Sequence, residues 1–301
     1  MSLDINFIRS FGRLDLLAKK AIEGFMTGIH KSPYQGYSVE FAEHKQYNFG
    51  ESTKHIDWKV YGKTDRLYVK KYEEETNLKC HIYLDFSSSM FYPKENDGKV
   101  MYSSYAAAAL CYLLSKQRDA FGLTLFDEEI IKETPVKNTL SHFNQLVAIL
   151  EEKLKTNPVN KKTDLIGALN RLASRKVQRN LVVVFTDFLS NKDELDEIME
   201  TFHHLRHNKH ELLVFHVYDK QLEEEFDFGN TSYLITDVET GESLKTNPKE
   251  IREAYQKKTK TYFNEVELNC KKYKIDFIKA DIHQPLDQVL TPFLKARVKL
   301  R

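Results

Sequence analysis

The stretch CHIYLD, residues 80–85, followed at once by FSSSM, residues 86–90, decides the fold of this 301-residue chain. Its first part is a short apolar run that ends in an aspartate, which is typical of a strand buried on both faces of a sheet. Four more such runs follow, separated by segments with helical periodicity: FGLTLF (121–126), LVVVFTD (181–187), ELLVFHV (211–217) and IDFIKAD (275–281). This alternation predicts an α/β fold with a doubly wound, mostly parallel sheet.

Apolar spacings of three and four residues predict the helices between these strands, at about 100–117, 139–155, 164–176, 192–208, 249–273 and 285–298. The stretch 227–247 contains a hairpin pattern with its turn at residues 239–242, which breaks the alternation. We therefore expect residues 79–301 to form the α/β domain, with an insertion at about 218–273. Residues 1–78 are expected to pack on its core as an amphipathic helix, 7–27, and an extended, aromatic-rich segment.

Composition limits the kinds of partner. The formal net charge is +1, so no global field attracts nucleic acid or an anionic membrane. The three cysteines form no C-x-x-C pair, which favours a reducing compartment over a disulfide framework. No run of 18 apolar residues and no signal-peptide layout is present, so we expect a cytoplasmic protein without a membrane span.

Polar side chains follow the predicted strands where each strand ends. Asp85 and Asp187 end two strands, Ser87 and Ser89 complete a D-x-S-x-S string, and Thr163 precedes a predicted helix. Loops at the carboxyl ends of parallel strands converge, and two carboxylates with three hydroxyls form an all-oxygen set for a hard cation. Mg²⁺ fits best, with Mn²⁺ as a substitute. An aspartate before serines also occurs as an ordinary helix cap, which is the alternative explanation of the string.

This D-x-S-x-S string with a distant Thr and a distant Asp resembles the metal-ion-dependent adhesion site of von Willebrand factor A domains. The resemblance implies that Ser87, Ser89 and Thr163 supply hydroxyl ligands, and that Asp85 and Asp187 bind the ion directly or through water. It also implies a fold of the von Willebrand factor A, Rossmann-like type. Phe188 departs from the pattern, because many such domains have glycine there.

A narrower resemblance covers nearly the whole chain. It rests on Tyr47-x-x-Gly-Glu, His-Ile-Asp57-Trp58, Leu67-Tyr-Val-Lys and Glu73-Glu-Glu ahead of the D-x-S-x-S strand, and on the 237–242 turn and Asp281-x-x-x-Pro-Leu near the end. This run is similar to the bacterial domain-of-unknown-function 58 family. Because genes of that family commonly accompany MoxR-type AAA+ ATPases, the resemblance implies such an ATPase as a partner.

Common catalytic patterns are missing from the sequence. There is no dinucleotide-binding G-x-G-x-x-G, no P-loop and no G-x-S-x-G nucleophile elbow. We therefore expect a non-enzymatic, Mg²⁺-dependent protein-binding module whose ion accepts an Asp or Glu from a partner. One alternative is a metal-dependent phosphoester hydrolase, with Lys161 or Lys162 as its cationic group. A second is a scaffold with a vestigial site.

Two other features have structural explanations. The lone Trp58 is expected to pack in a core, and Asp57 beside it to cap a helix or to accept a backbone hydrogen bond. His203, His204 and His207 are expected on the surface, because no Glu or Cys nearby completes a zinc set.

Overall fold

The computed structural model describes residues 14–16, 19, 39–47, 56–74, 78–94, 98–156, 158, 160–175, 179–190, 192–229, 231, 233–237 and 241–290. These residues fall into two compact units. The smaller lies within residues 32–78, and the larger comprises residues from 79 onward together with those described between 14 and 19.

The smaller unit is an antiparallel pair of strands with one short helix. Strand β1 (Val39–Gln46) pairs with β2 (Tyr68–Glu74), and helix α1 (Trp58–Thr64) lies between them in the chain. Asp57 caps α1 as predicted, since its Oδ1 accepts the N–H groups of Lys59 at 3.0 Å and Val60 at 3.3 Å. The prediction that Trp58 packs in a core is wrong. It occupies the first position of a helix that buries none of its residues, and it is 64% exposed.

The larger unit is built on a six-stranded sheet. Its strands are β3 (Lys79–Asp85), β4 (Ala120–Phe126), β5 (Ile130–Glu133), β6 (Leu181–Thr186), β7 (Glu211–Tyr218) and, after the two strands of a hairpin, β10 (Asp276–Asp281). The order across the sheet is β10-β7-β6-β3-β4-β5, parallel except for β5. The first strand, β3, lies inside the sheet, with β4 and β5 added on one side of it and β6, β7 and β10 on the other. The predicted α/β class with a doubly wound, mostly parallel sheet is therefore confirmed.

Five helices of the larger unit agree with the predicted positions to within a few residues: α2 (Gly98–Lys116), α3 (Leu140–Lys153), α4 (Leu165–Ala173), α5 (Lys192–His207) and α6 (Pro248–Lys272). Residues 286–290 are also helical. The rest of the predicted helices at 7–27 and 285–298 lies outside the described residues. Among the helices that the structure describes, none combines the length and apolar character needed to cross a membrane.

The core covers both faces of the sheet. Val182 and Val184 of β6 share one buried cluster with residues of α4, α5 and α6. Their neighbours Val183 and Phe185 point to the opposite face, because side chains alternate along a strand. There α2 contacts β3, β4 and β7, and almost all of α2 is buried. All three cysteines are buried and free.

Two further findings concern the predicted domain organisation. The hairpin is present as β8 (Tyr233–Thr236) and β9 (Ser243–Thr246), with Gly241 in a left-handed conformation near its turn. Residues 14–16, which lie in the predicted N-terminal helix, are helical. The N–H of Leu14 donates to Glu151 Oε1 at 3.0 Å, so the described residues of that helix belong to the larger unit.

Candidate metal site

The two aspartates meet at the point where the strand order of the sheet reverses. Asp85 is the last residue of β3, Asp187 directly follows β6, and these strands are hydrogen-bonded neighbours. Ligand sites of doubly wound sheets lie in such crevices, outside the carboxyl ends of the strands. The sheet order therefore brings together two carboxylates that are far apart in the sequence.

The other three predicted site residues reach the same place. The hydroxyl of Thr163 donates to Asp85 Oδ2 at 2.9 Å, and the hydroxyls of Ser87 and Ser89 lie 3.1 Å apart. Ser89 is also close enough to Asp187 to help hold the pKa of that carboxyl below its ordinary value. All five side chains thus form one connected cluster of oxygen atoms.

Local geometry directs the serines into this cluster. Asp85 Oδ1 accepts the N–H of Ser87 at 2.9 Å, which turns the chain into a 3₁₀ helix at Ser88–Phe91. The side chain of Ser87 makes no capping hydrogen bond to this helix. Capping alone therefore does not explain the D-x-S-x-S string, because one carboxylate oxygen serves the turn and the other receives hydroxyls.

The loop carrying Thr163 is fastened to the serine loop. Ser88 N–H donates to the carbonyl of Lys161 at 2.9 Å, and Lys161 N–H donates to Ser88 Oγ at 2.8 Å. Asp164 then caps α4 by accepting the N–H of Gly167 at 2.8 Å. These bonds fix the backbone immediately before and after Thr163.

Thr186 belongs to the cluster although the sequence pattern did not single it out. Its hydroxyl donates to Asp85 Oδ2 at 2.8 Å, so two threonines serve the same carboxylate oxygen. As the last residue of β6 it lies directly before Asp187. Its position at the carboxyl end of a buried strand was the available signal.

Lys99 and Glu223 also reach the cluster and were missed. The ammonium of Lys99, fully buried, lies 2.8 Å from Asp187 Oδ2 and 2.5 Å from Glu223 Oε1. Lys99 is in the first turn of α2, and Glu223 is in the π helix Lys220–Glu224 that follows β7. The burial of α2 on nearly every side was a signal for Lys99, because a charge on such a helix needs a buried partner.

The two aspartates have different electrostatic environments. Burial, together with the charge of Asp187, raises the pKa of Asp85 to about 6. Burial also acts to raise the pKa of Asp187, but the Lys99 ammonium outweighs it and holds that pKa below its ordinary value. Asp187 is therefore matched by a cation, whereas Asp85 is served by neutral hydrogen-bond donors.

This donor set fits a hard divalent cation. The five side chains offer only oxygen, and a cation beside Asp85 would offset the burial and repulsion that disfavour its ionised form. A zinc-type site has less support: no group of three or more His, Cys, Asp or Glu in the described part of the chain is arranged to hold a metal. His203, His204 and His207 are exposed on α5, as predicted.

The cluster is deeply placed but reaches the surface on one side. Asp85, Ser87, Ser89 and Asp187 are buried, whereas Thr163 is half-buried. Leu189, whose N–H donates to Asp187 Oδ1 at 3.3 Å, is 45% exposed.

Phe188 has the backbone conformation that glycine favours. Its φ is +52°, and its ring is buried against Phe202, His216 and Phe277. Phe188 therefore adopts, directly after Asp187, the left-handed backbone conformation that glycine favours. Aromatic packing offsets the cost of that conformation, roughly 1–2 kcal/mol.

This chain is similar to several solved structures at low sequence identity. BatB from Bacteroides thetaiotaomicron is similar over 74% of this chain and 100% of its own, with a TM-score of 0.46 and 13% identity. For an aerotolerance-related membrane protein from Bacteroides fragilis the coverage is 73% and 100%, the TM-score 0.40 and the identity 15%. For the VWA domain of SpRpn10 the coverage is 48% and 77%, the TM-score 0.35 and the identity 12%.

Sequence relatives cover most of the chain. The uncharacterized proteins Rv1480 of Mycobacterium tuberculosis and Mb1516 of Mycobacterium bovis are each 22% identical over 228 residues, which is 76% of this chain and 69% of theirs. The family model described as "Protein of unknown function DUF58" matches residues 43–264. As its N-terminal and hairpin motifs indicate, the chain belongs to the DUF58 family.

Proposed function

We propose that this protein is a non-enzymatic, Mg²⁺-dependent protein-binding module. The observation that carries the proposal is the meeting of Asp85, Ser87, Ser89, Thr163 and Asp187 at the switch point of the sheet. A buried pair of carboxylates surrounded by hydroxyls suits the binding of a divalent cation better than it suits acid–base chemistry.

Each residue has a role in this proposal. Ser87, Ser89 and Thr163 would hold the ion through neutral hydroxyls, and Asp85 and Asp187 would supply the negative charge. When bound, the ion supplies an electrophilic position that accepts a carboxylate oxygen of an Asp or Glu from another protein. Mn²⁺ would substitute for Mg²⁺ in the same set.

The surface around the cluster suits docking by a partner. Thr163 marks the side on which the cluster reaches the surface, and the exposed Leu189 offers apolar area close to Asp187. We expect the metal to give direction to the contact and the surrounding loops to give the remaining affinity. Leu189→Ser should then weaken partner binding while Mg²⁺ binding stays at the wild-type level.

Calorimetric titration with Mg²⁺ tests the metal site. Asp85→Asn keeps the shape of the side chain but removes its charge, and we expect it to abolish binding. Asp164→Asn is the matched control, because Asp164 caps α4 and asparagine caps equally well. Wild-type affinity in Asp85→Asn would refute the assignment.

An affinity pull-down with and without EDTA tests partner binding. The family resemblance leads us to propose a cytoplasmic partner such as a MoxR-type AAA+ ATPase, or a protein that the ATPase remodels. A specific partner should be retained in Mg²⁺, released by EDTA and absent with Asp85→Asn. Retention in all three conditions would show that binding does not use the ion.

The phosphoester-hydrolase alternative has weaker support. It needs a free cationic group or a base near the ion, but the Lys161 ammonium lies 3.1 Å from the Glu128 carboxylate and the Lys162 side chain is exposed to solvent. A phosphatase and nuclease screen with Mg²⁺ and Mn²⁺ tests it, and turnover that Asp187→Ala removes would favour it.

The vestigial-site alternative predicts no response to the ion. A bound ion at one hundred times its dissociation constant stabilises the folded state by about 2.7 kcal/mol. Absence of any thermal shift at millimolar Mg²⁺ would therefore favour a scaffold with an inactive site.

A further inference from the structure

Lys99 is placed in the cluster by a specific backbone arrangement. Gly98, with φ +66°, donates its N–H to the Pro93 carbonyl at 3.0 Å, and the next N–H reaches the Tyr92 carbonyl at 3.3 Å. A Cβ on Gly98 would lie 2.4 Å from the backbone carbon of Phe91. Only glycine lets the first turn of α2 approach the serine loop this closely, so the buried lysine results from a specifically built contact.

Glu223 is held on the far side of the ammonium. Its Oε1 contacts Lys99, and its Oε2 accepts the N–H of Asp219 at 3.1 Å. Asp219 has a separate partner, His283 Nε2 at 3.1 Å. Both oxygens of Glu223 are therefore engaged, and it belongs to the same ion-paired group as Lys99 and Asp187.

The formal charges of this group give a simple count. Asp85, Asp187 and Glu223 are three buried carboxylates, and Lys99 is the ammonium that contacts two of them. Three negative charges and one positive charge leave a net charge of minus two. Uncompensated charge is expensive in a buried site, so one divalent cation would bring this group to neutrality, whereas a monovalent ion would not.

We propose that Lys99 and Glu223 set the net charge around the cation site at minus two, which selects a divalent ion. The inference rests on the proposed metal-binding function and adds to it two residues outside the adhesion-site pattern. Lys99 lowers the affinity for the ion by its positive charge, and Glu223 raises it. Neither side chain needs to touch the ion, because charges a few ångströms apart interact strongly in a poorly solvated site.

Calorimetric titrations of Mg²⁺ into four proteins test the proposal: the wild type, Lys99→Met, Glu223→Gln and the double variant. Lys99→Met makes the net charge minus three and should bind Mg²⁺ about tenfold or more tightly, whereas Glu223→Gln makes it minus one and should bind correspondingly weakly. The double variant returns the charge to minus two and should bind close to the wild-type level. Lys99→Met leaves both Asp187 and Glu223 without the ammonium, whereas the double variant leaves only Asp187. The double variant therefore remains informative if Lys99→Met fails to fold.

The outcomes separate this proposal from the proposed function. Wild-type binding that neither single variant changes would overturn the charge assignment and leave the metal site intact. A double variant that binds as weakly as Glu223→Gln would overturn it too, because Lys99 would then act by positioning Asp187. If the wild-type protein binds no divalent ion, the proposed function fails and this inference fails with it.

Discussion

Ser88 Oγ accepts a hydrogen bond of 2.8 Å from the N–H of Lys161, a residue 73 positions later in the chain. The Ser88 N–H returns a bond of 2.9 Å to the Lys161 carbonyl. This reciprocal pair joins the loop after β3 to the loop before α4. It involves the central serine of the D-x-S-x-S string, whose side chain the adhesion-site pattern leaves unspecified.

We expect Ser88→Ala to weaken metal binding although Ser88 is not a predicted ligand. The change removes the acceptor of the Lys161 N–H and should cost about 1 kcal/mol of unfolding free energy. Because Thr163 follows two residues later, we expect Mg²⁺ affinity in calorimetry to fall about tenfold. Ser174→Ala is the control, since Ser174 makes one exposed hydrogen bond at the other end of α4. Equal affinities of the two variants would contradict this role.

At position 188 we expect a glycine variant to be more stable than an alanine variant, which reverses the usual order. Phe188→Ala removes a buried ring and should cost about 3–5 kcal/mol of unfolding free energy. Phe188→Gly loses the same ring but removes the strain at φ +52°, so it should be about 1 kcal/mol more stable than the alanine variant. Urea denaturation of the three proteins measures both differences. A glycine variant less stable than the alanine variant would show that the left-handed turn costs little.

His81 should make the protein less stable in mild acid. Burial, with a contribution from the charge of Arg175, lowers the pKa of His81 from 6.5 to about 4. As the pH falls from 6.5 to 4, the His81 imidazole binds a proton in the unfolded chain but stays neutral in the folded protein. This group therefore removes about 3 kcal/mol of stability across that window, and the loss is complete below pH 4.

His81→Gln isolates this contribution, because glutamine does not titrate in the window. Subtracting the unfolding free energies of the variant from those of the wild type at each pH cancels the contributions of other groups. The difference should be flat above pH 7 and should slope between pH 6.5 and 4. A difference that is flat throughout would mean that the folded protein accepts the proton on His81.

Replacing Gly98 and Gly62 by alanine should change the stability of the protein in opposite directions. At Gly98 a Cβ would strike the backbone of Phe91 and the left-handed φ would be strained, so Gly98→Ala should cost at least about 2 kcal/mol. At Gly62, in α1, a Cβ meets nothing within 4 Å, and Gly62→Ala should stabilise its helix by about 0.5–1 kcal/mol. Thermal unfolding followed by circular dichroism measures both. A neutral Gly98→Ala would show that the 3₁₀ helix can move away from α2.

The central sheet could be predicted because its strands are unusually uniform. Leu181–Thr186 is buried at every position, and a continuous apolar run of that length has few alternatives. The edge strand Ile130–Glu133 escaped prediction for the opposite reason. It has four residues, only partial burial and a register shift against β4, so neither length nor periodicity marks it.

The site was predictable where residues follow strand ends, and less so where the tertiary fold supplies them. Asp85 and Asp187 end apolar runs, so their meeting follows from the sheet type. Glu223 lies in a run of three glutamates, which resembles a solvated surface, and its burial depends on the π helix after β7. The role of Lys99 could be predicted only from the knowledge that α2 is buried on almost all sides. The exposure of Trp58 likewise depended on the fact that α1 buries none of its residues.

The hydrogen bond from Thr186 to Asp85 joins residues 101 positions apart across two neighbouring strands. A chain emerging from the ribosome therefore carries half of the cluster for a long interval before β6 arrives to complete it. A truncated chain that ends before residue 181 would keep the D-x-S-x-S string without the second carboxylate. Ion binding at the proposed site would therefore require β6 to be inserted beside β3, and a partner that requires the ion would not engage chains that lack β6.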